Sequence, residues 1–218
     1  IMVNITNIAD VDFNKLEYSP PKTNISGGQT IFIKDNTSPN KRLVLALPVC
    51  YLPFGVSDYN GRKSLQFSLK GDSDKMQKFK HFLMQLDLKN VQMGVNNSVK
   101  WFKKSLPQDV IQNLYNPSMK QTNELYPPNF RARLPTHPDT GKFVGDIFDP
   151  NKRLVTQDSI TPGCEVEAIV ELVGIYFVAK EFGVSWKVVQ LKVFPCERLK
   201  GYAFICDSDE DISDAEPN

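Results

Sequence analysis

Cys164-Glu-Val-Glu-Ala-Ile-Val-Glu-Leu-Val173 and Phe182-Gly-Val-Ser-Trp-Lys-Val-Val-Gln-Leu-Lys-Val-Phe194 are the two stretches on which the fold turns. In the first, Val166, Ala168, Val170 and Leu172 alternate with Glu165, Glu167 and Glu171, the two-residue period of a half-buried strand. In the second, Val189, Leu191 and Val193 fall on one face by the same period, and Trp186, Gln190 and Lys192 on the other. The segment from Gly174 to Gly183 between them suits a bulge followed by a hairpin connection. Upstream, the runs Gln29 to Lys34, Lys41 to Val49 and Lys63 to Lys70 are short and strand-like. Gly27-Gly28, Asp35-Asn36, Pro39-Asn40 and Asn60-Gly61 punctuate them as turns.

Helical periodicity is confined to the middle of the chain. Asp72 or Ser73 can cap a segment in which Met76, Phe79, Leu83 and Leu86 recur on one face, with Lys75, Lys78 and Lys80 mostly on the other. A second, shorter helix is expected to begin near Pro107, to carry Val110, Ile111 and Leu114, and to stop at Pro117. Prolines 117, 127, 128, 135 and 138 then mark an ordered but irregular loop with an extended piece at Asn129 to Leu134. Strands at both ends and helices between them predict a β-rich α+β fold: an antiparallel, OB-like barrel with a helical insertion at about 72–117 and a long proline-rich loop at about 116–138. A jelly-roll or other sandwich fits the same pattern.

The composition is that of a globular protein, 41% hydrophobic and 23% charged. No run approaches 18 apolar residues, and the most apolar stretch, Ile169 to Ala179, is broken by Glu171 and Gly174, so no membrane span is expected. The first residues lack a basic region followed by an apolar one, and Cys50, Cys164, Cys196 and Cys206 match neither a zinc knuckle nor a CxxC pair. Reduced cysteines in an intracellular setting are therefore expected, with no metal and no cofactor. Charge is distributed unevenly. Residues 207–218 hold six acids and no base, so the first 206 residues carry 26 basic against 19 acidic side chains. One domain over 1–206 with a charge of +7, followed by an acidic, disordered tail of −6, is the organisation this implies.

Catalysis has little support. GxxxxGK[ST], GxGxxG, GxSxG and HExxH are all missing, and His81 and His137 have no carboxylate partner by sequence. Glu165 and Glu167 share one strand face, where solvation is the expected role, and Asp146 and Asp149 sit at a turn whose backbone they can hydrogen-bond. Basic residues beside aromatics are more telling: Trp101-Phe-Lys-Lys104, Asn129-Phe-Arg-Ala-Arg133, Lys142-Phe143 and Phe182-Gly-Val-Ser-Trp-Lys187. Single-strand binders need this combination, because cations neutralise phosphates while exposed rings stack on unpaired bases.

Phe182 to Val193, followed by Gly201-Tyr-Ala-Phe204 and the acidic run Asp207 to Asp211, resembles the C-terminal end of single-stranded DNA-binding proteins of large nucleocytoplasmic DNA viruses. The layout also resembles phage T7-type proteins, in which an oligonucleotide-binding barrel ends in an acidic tail. The likeness is concentrated in residues 164–214, and this chain ends in Glu216-Pro-Asn218 rather than in an aromatic. It implies a non-enzymatic protein that binds single-stranded DNA without sequence preference during viral replication or recombination. Trp186 would stack, with Lys187 and Lys192 near it, Arg131 and Arg133 on the long loop, and Trp101, Lys103 and Lys104. Lys187 would point away from Trp186 unless a bulge intervenes. The tail would modulate access and could recruit replication proteins; an oligomer is compatible with this. The competing reading is a structural or virion protein in which the strand Ile169 to Ala179 pairs with a partner.

With Ile212 as its one bulky apolar side chain, the tail cannot bury enough surface to offset the entropy of ordering. Tethered to a +7 body, it visits basic surface at high effective concentration and competes there with phosphate. Deleting Asp207 to Asn218 should raise single-strand affinity at about 50 mM salt, and the gain should shrink as salt screens both attractions. Equal affinity of the truncated and full chains would dismiss masking.

Overall fold

The computed structural model describes residues 4–23 and 27–196. The acidic tail, Gly201 to Phe204 and Cys206 lie outside the described residues.

Elements run in the order β1 (Leu16–Tyr18), β2 (Lys22–Thr23), β3 (Gln29–Asp35), β4 (Val44–Ala46), β5 (Cys50–Leu52), β6 (Val56–Tyr59) and β7 (Arg62–Ser68). The helices α1 (Asp74–Asn96), α2 (Ser98–Phe102) and α3 (Gln108–Leu114) follow, then β8 (Tyr115–Asn116), β9 (Met119–Lys120), β10 (Asn129–Arg133), β11 (Ile147–Phe148), β12 (Cys164–Val178) and β13 (Glu181–Phe194). The two longest strands are those the sequence alternation marks. They form one hairpin from Glu165↔Phe194 to Val178↔Glu181, turned by Ala179 and Lys180, with Ala179 at φ 53°.

Two register shifts decide what this hairpin shows to the core. Ile169 faces Gln190 but Val170 faces Val188, so Val189 is an extra residue on β13; Leu172 faces Trp186 but Gly174 faces Ser185, so Val173 is extra on β12. Each bulge reverses the alternation beyond it. On β13 the buried side chains are therefore Phe182, Trp186 and Val188 before the bulge, and Leu191 and Val193 after it. The expected sharing of a face by Trp186, Gln190 and Lys192 is corrected by this single inserted residue: Lys187, Gln190 and Lys192 lie outward and Trp186 inward. Gly174 stands where a Cβ would meet the Ile31 carbonyl oxygen at 2.0 Å, so β3 can pair there only against a glycine.

The hairpin closes a barrel. β12 pairs with β5, β5 with β7, β7 with β10 and β10 with β13, and β13 returns to β12. This is a closed five-stranded barrel, but a mixed one: β10 meets β13 in parallel at Arg133↔Lys187, and β11 and β8 are also parallel to β13. The expectation of a wholly antiparallel barrel is corrected accordingly, because β10 and β13 are separated by β12 and are not joined by a hairpin. β12 is paired throughout most of its length, by β13 on one side and by β3, β4 and β5 on the other. From Ile169 to Tyr176 both its edges are occupied, which leaves most of the apolar stretch Ile169 to Ala179 closed to a partner strand.

The helix α1 covers the barrel as its periodicity demands. Ser73 accepts a hydrogen bond from the Met76 N–H at 3.3 Å, and Met76, Phe79, Phe82, Leu83 and Leu86 are buried. Phe79 meets Phe130 edge-on at 5.3 Å, Phe82 meets Trp186 at 6.3 Å, and Trp186 meets Phe130 at 5.7 Å. A polar network ties α1 to the segment after α3. Tyr115 and Ser118 hydroxyls each donate to Asp87 Oδ1 at 2.6 Å, the Ser118 N–H donates to Oδ2, and Asn90 joins Tyr115 to the Tyr18 hydroxyl. Burial holds the Asp87 carboxyl above the usual carboxylate range despite these donors. The native state thus takes up this proton at higher pH than the unfolded chain, and the residue's contribution weakens as pH rises through its folded pKa.

Trp186 is 2% exposed and Trp101 4% exposed. Neither is a stacking platform. Trp101 sits on α2, a helix the sequence pattern did not mark, among Tyr18, Phe177 and Phe182. Trp186→Ala should cost roughly 3–5 kcal/mol of stability in denaturant unfolding, the usual cost of emptying so large a core site. A loss below about 1 kcal/mol would place the ring elsewhere.

Candidate nucleic-acid interface

The alternation of β10 turns Phe130 and Ala132 inward and Arg131 and Arg133 outward. Across the ladder, Arg131 faces Gln66 and Arg133 faces Ser64 on β7, while Asn129 faces Ser68. Ser64 and Ser68 are small and pack low between their neighbours, so the arginines stand above a shallow polar floor. The Ser64 hydroxyl accepts a hydrogen bond from Arg131 Nε at 3.0 Å, which orients the guanidinium across β7. The Tyr176 hydroxyl on β12 accepts a hydrogen bond from Asn116 Nδ2 at 2.8 Å. Burial chiefly raises its hydroxyl pKa, with Asn116 lowering it, Glu181 raising it and the charge of Arg131 lowering it.

One strand further on, the cations are paired. Lys187 is in register with Arg133 on one side and with Glu171 on the other. Its Nζ is 3.1 Å from Glu171 Oε1, and Arg42 binds the second oxygen of the same carboxylate. Lys192 bonds Glu167 at 3.2 Å and lies over the Phe194 ring at 5.0 Å. β12 therefore carries an acidic stripe against which the β13 lysines are neutralised, whereas the β10 arginines face no acid across β7.

The structure thus brings Arg131, Arg133 and Lys187 together and sets Lys192 further along β13. Lys103 and Lys104 belong to another place. Lys103 ends α2 in a left-handed conformation (φ 62°), and α2 packs on Phe177 and Phe182 near the hairpin turn. There Lys100 and Lys103 line a cleft of about 430 Å3 with Tyr18, Pro20, Pro21 and Asn97.

Sequence reasoning missed the exposed rings of this face. Tyr51, 43% exposed, is in register with Ser68 and so shares a row with Asn129. Its neighbours Cys50 and Leu52 are buried; because all three are apolar or aromatic, nothing in the letters set Tyr51 apart. Tyr59 and Arg62 face each other across the Asn60-Gly61 turn, whose two left-handed residues match the hairpin twist. That turn was visible in the sequence, and the pair flanking it was the available signal. Asp149 accepts from the Arg153 N–H at 2.9 Å, the turn role expected of it. Among the described residues no group of three or more His, Cys, Asp and Glu is gathered to hold a metal ion, and no helix is long and apolar enough to cross a membrane.

A model of a family of unknown function (DUF5871) matches residues 56–205, from β6 to beyond β13. The chain belongs to the DUF5871 family. No curated protein matches it. Among solved structures, this DUF5871 chain is similar to gp2.5, a single-stranded DNA-binding protein encoded by bacteriophage T7, at 10% identity and a TM-score of 0.47, over 74% of this chain and 91% of that one. It is similar to the single-stranded DNA-binding protein of bacteriophage Enc34 at 11% identity and a TM-score of 0.44, over 88% and 98% of the two chains. The Enc34 protein in complex with single-stranded DNA aligns at 10% identity and a TM-score of 0.42, over 83% and 97%.

Proposed function

We propose that this DUF5871 protein binds single-stranded DNA without sequence preference on the outer face of its barrel, without catalysis, in viral DNA replication or recombination. The observation that carries the reading is the pair Arg131 and Arg133, outward on β10 and facing Gln66 and Ser64 rather than acids. Two guanidiniums one strand period apart, about 7 Å, suit successive phosphates of a single strand. Tyr51, in the row of Ser68 and Asn129, offers a ring for base stacking, and the +7 charge of residues 1–206 favours a polyanion. The acidic tail, residues 207–218, modulates access to this face and serves as the hook for replication proteins. The setting is the intracellular site of viral replication.

A second reading, a structural or virion interaction protein, draws on Met84 and Leu88, exposed one turn apart on α1. Titration of labelled oligo-dT, duplex DNA and RNA against the full chain at several salt concentrations separates the two. Oligo-dT should bind at about 50 mM salt. Arg131→Ala with Arg133→Ala should flatten the log K against log salt slope by about 1.4, two phosphates at about 0.7 each. Tyr51→Ala should cost roughly 1–3 kcal/mol of binding with melting temperature nearly unchanged. A folded wild-type protein that leaves oligo-dT unbound at about 50 mM salt would support the second reading instead.

A further inference from the structure

Glu171 is an outward-facing residue of β12 that is nonetheless only 7% exposed. Its place is fixed from both sides, by Val44 on β4 and by Lys187 on β13, each in register with it. The Leu172 N–H donates to the Leu43 carbonyl at 3.0 Å, which brings Arg42 alongside, and the Arg42 N–H is itself held by Asn40 Oδ1 at 3.2 Å. One carboxylate oxygen meets Arg42 and the other Lys187. The register continues outward: Glu171, Lys187, Arg133, Ser64 and Ser57 form one row across β12, β13, β10, β7 and β6. A carboxylate buried between Arg42 and Lys187, with Arg133 next in the row, is the kind of anion those cations would otherwise take from solution. Carboxylate and phosphate oxygens present the same acceptor chemistry to a guanidinium and an ammonium group.

We propose that Glu171 is a resident anion that occupies a phosphate position between Arg42 and Lys187, and so limits how many phosphates the barrel face neutralises. This rests on the DNA-binding reading given above. Its consequence is a site in which the arginines of β10 grip the strand while Lys187 and Arg42 are held in reserve, so binding is weaker and more readily reversed than the count of basic side chains implies.

The test uses the full chain and Glu171→Gln, which keeps the shape and one acceptor but removes the charge. Three readouts apply: oligo-dT affinity against salt, the salt concentration of elution from a heparin column, and melting temperature. Freeing one or two cations should steepen the log K against log salt slope by about 0.7 to 1.4, raise oligo-dT affinity, and delay heparin elution. A folded E171Q chain with the slope and elution of wild type overturns the assignment. Should E171Q fail to fold, Lys187→Gln and Arg42→Gln decide the matter beside Arg131→Gln. Cations already neutralised by Glu171 should each reduce the slope by less than half as much as Arg131, and an equal reduction overturns the assignment. If wild type leaves oligo-dT unbound at about 50 mM salt while E171Q still elutes later from heparin, the assignment of Glu171 stands and the DNA-binding reading falls.

Discussion

One residue too many on β13 governs this structure. A strand that alternates strictly must send every second side chain to the core, and a single inserted residue exchanges the two faces beyond it. Val189 is that residue. It lets Trp186 and Val188 point inward on one side of the bulge and Leu191 and Val193 on the other, so that a strand of fourteen residues can follow the curved wall of a closed barrel. The aromatic contacts of Trp186 with Phe82 and Phe130, and with them the docking of α1, depend on that reversal. The bulge at Val173 on β12 acts in the same way and brings Gly174 against β3, where a side chain would clash with the backbone.

The same reversal determines the electrostatics of the outer face. With Trp186 turned inward, Lys187 points outward between Glu171 on β12 and Arg133 on β10. β12 presents acids and β10 presents arginines, and the lysines of β13 stand between them, paired to the acids. Distance from the acidic stripe, measured in strands, then separates cations held in ion pairs from cations that face Ser64 and Gln66 across β7. A count of basic residues along the chain cannot make that distinction.

Much of the fold was legible wherever one face of an element is buried and the other wet. The alternation at 164–173 and the recurrence of Met76, Phe79, Leu83 and Leu86 were enough for β12 and α1, and Asn129 to Leu134 was expected to be extended, but as a piece of a long loop, whereas Asn129–Arg133 is a strand of the barrel wall. What escaped was information held in pairing. No letter of Trp186-Lys-Val-Val-Gln190 marks which valine is unpaired, so a regular period put Trp186 on the wrong face. The helix α2 is only five residues long, too short to display a period, and it carries Trp101 inward. The parallel closure of β10 on β13 joins segments more than fifty residues apart, which local pattern does not report.

The register of β12 against β13 sets both the core and the outer face of the barrel. Cross-strand nuclear Overhauser contacts in the free protein measure it directly. Ile169 should contact Gln190 and Val170 should contact Val188, with Val189 opposite no residue of β12. Contacts pairing Val170 with Val189 and Leu172 with Lys187 would mean an unbroken ladder, with Trp186 turned outward beside Gln190 and Lys192, and would contradict both the core and the binding face described above.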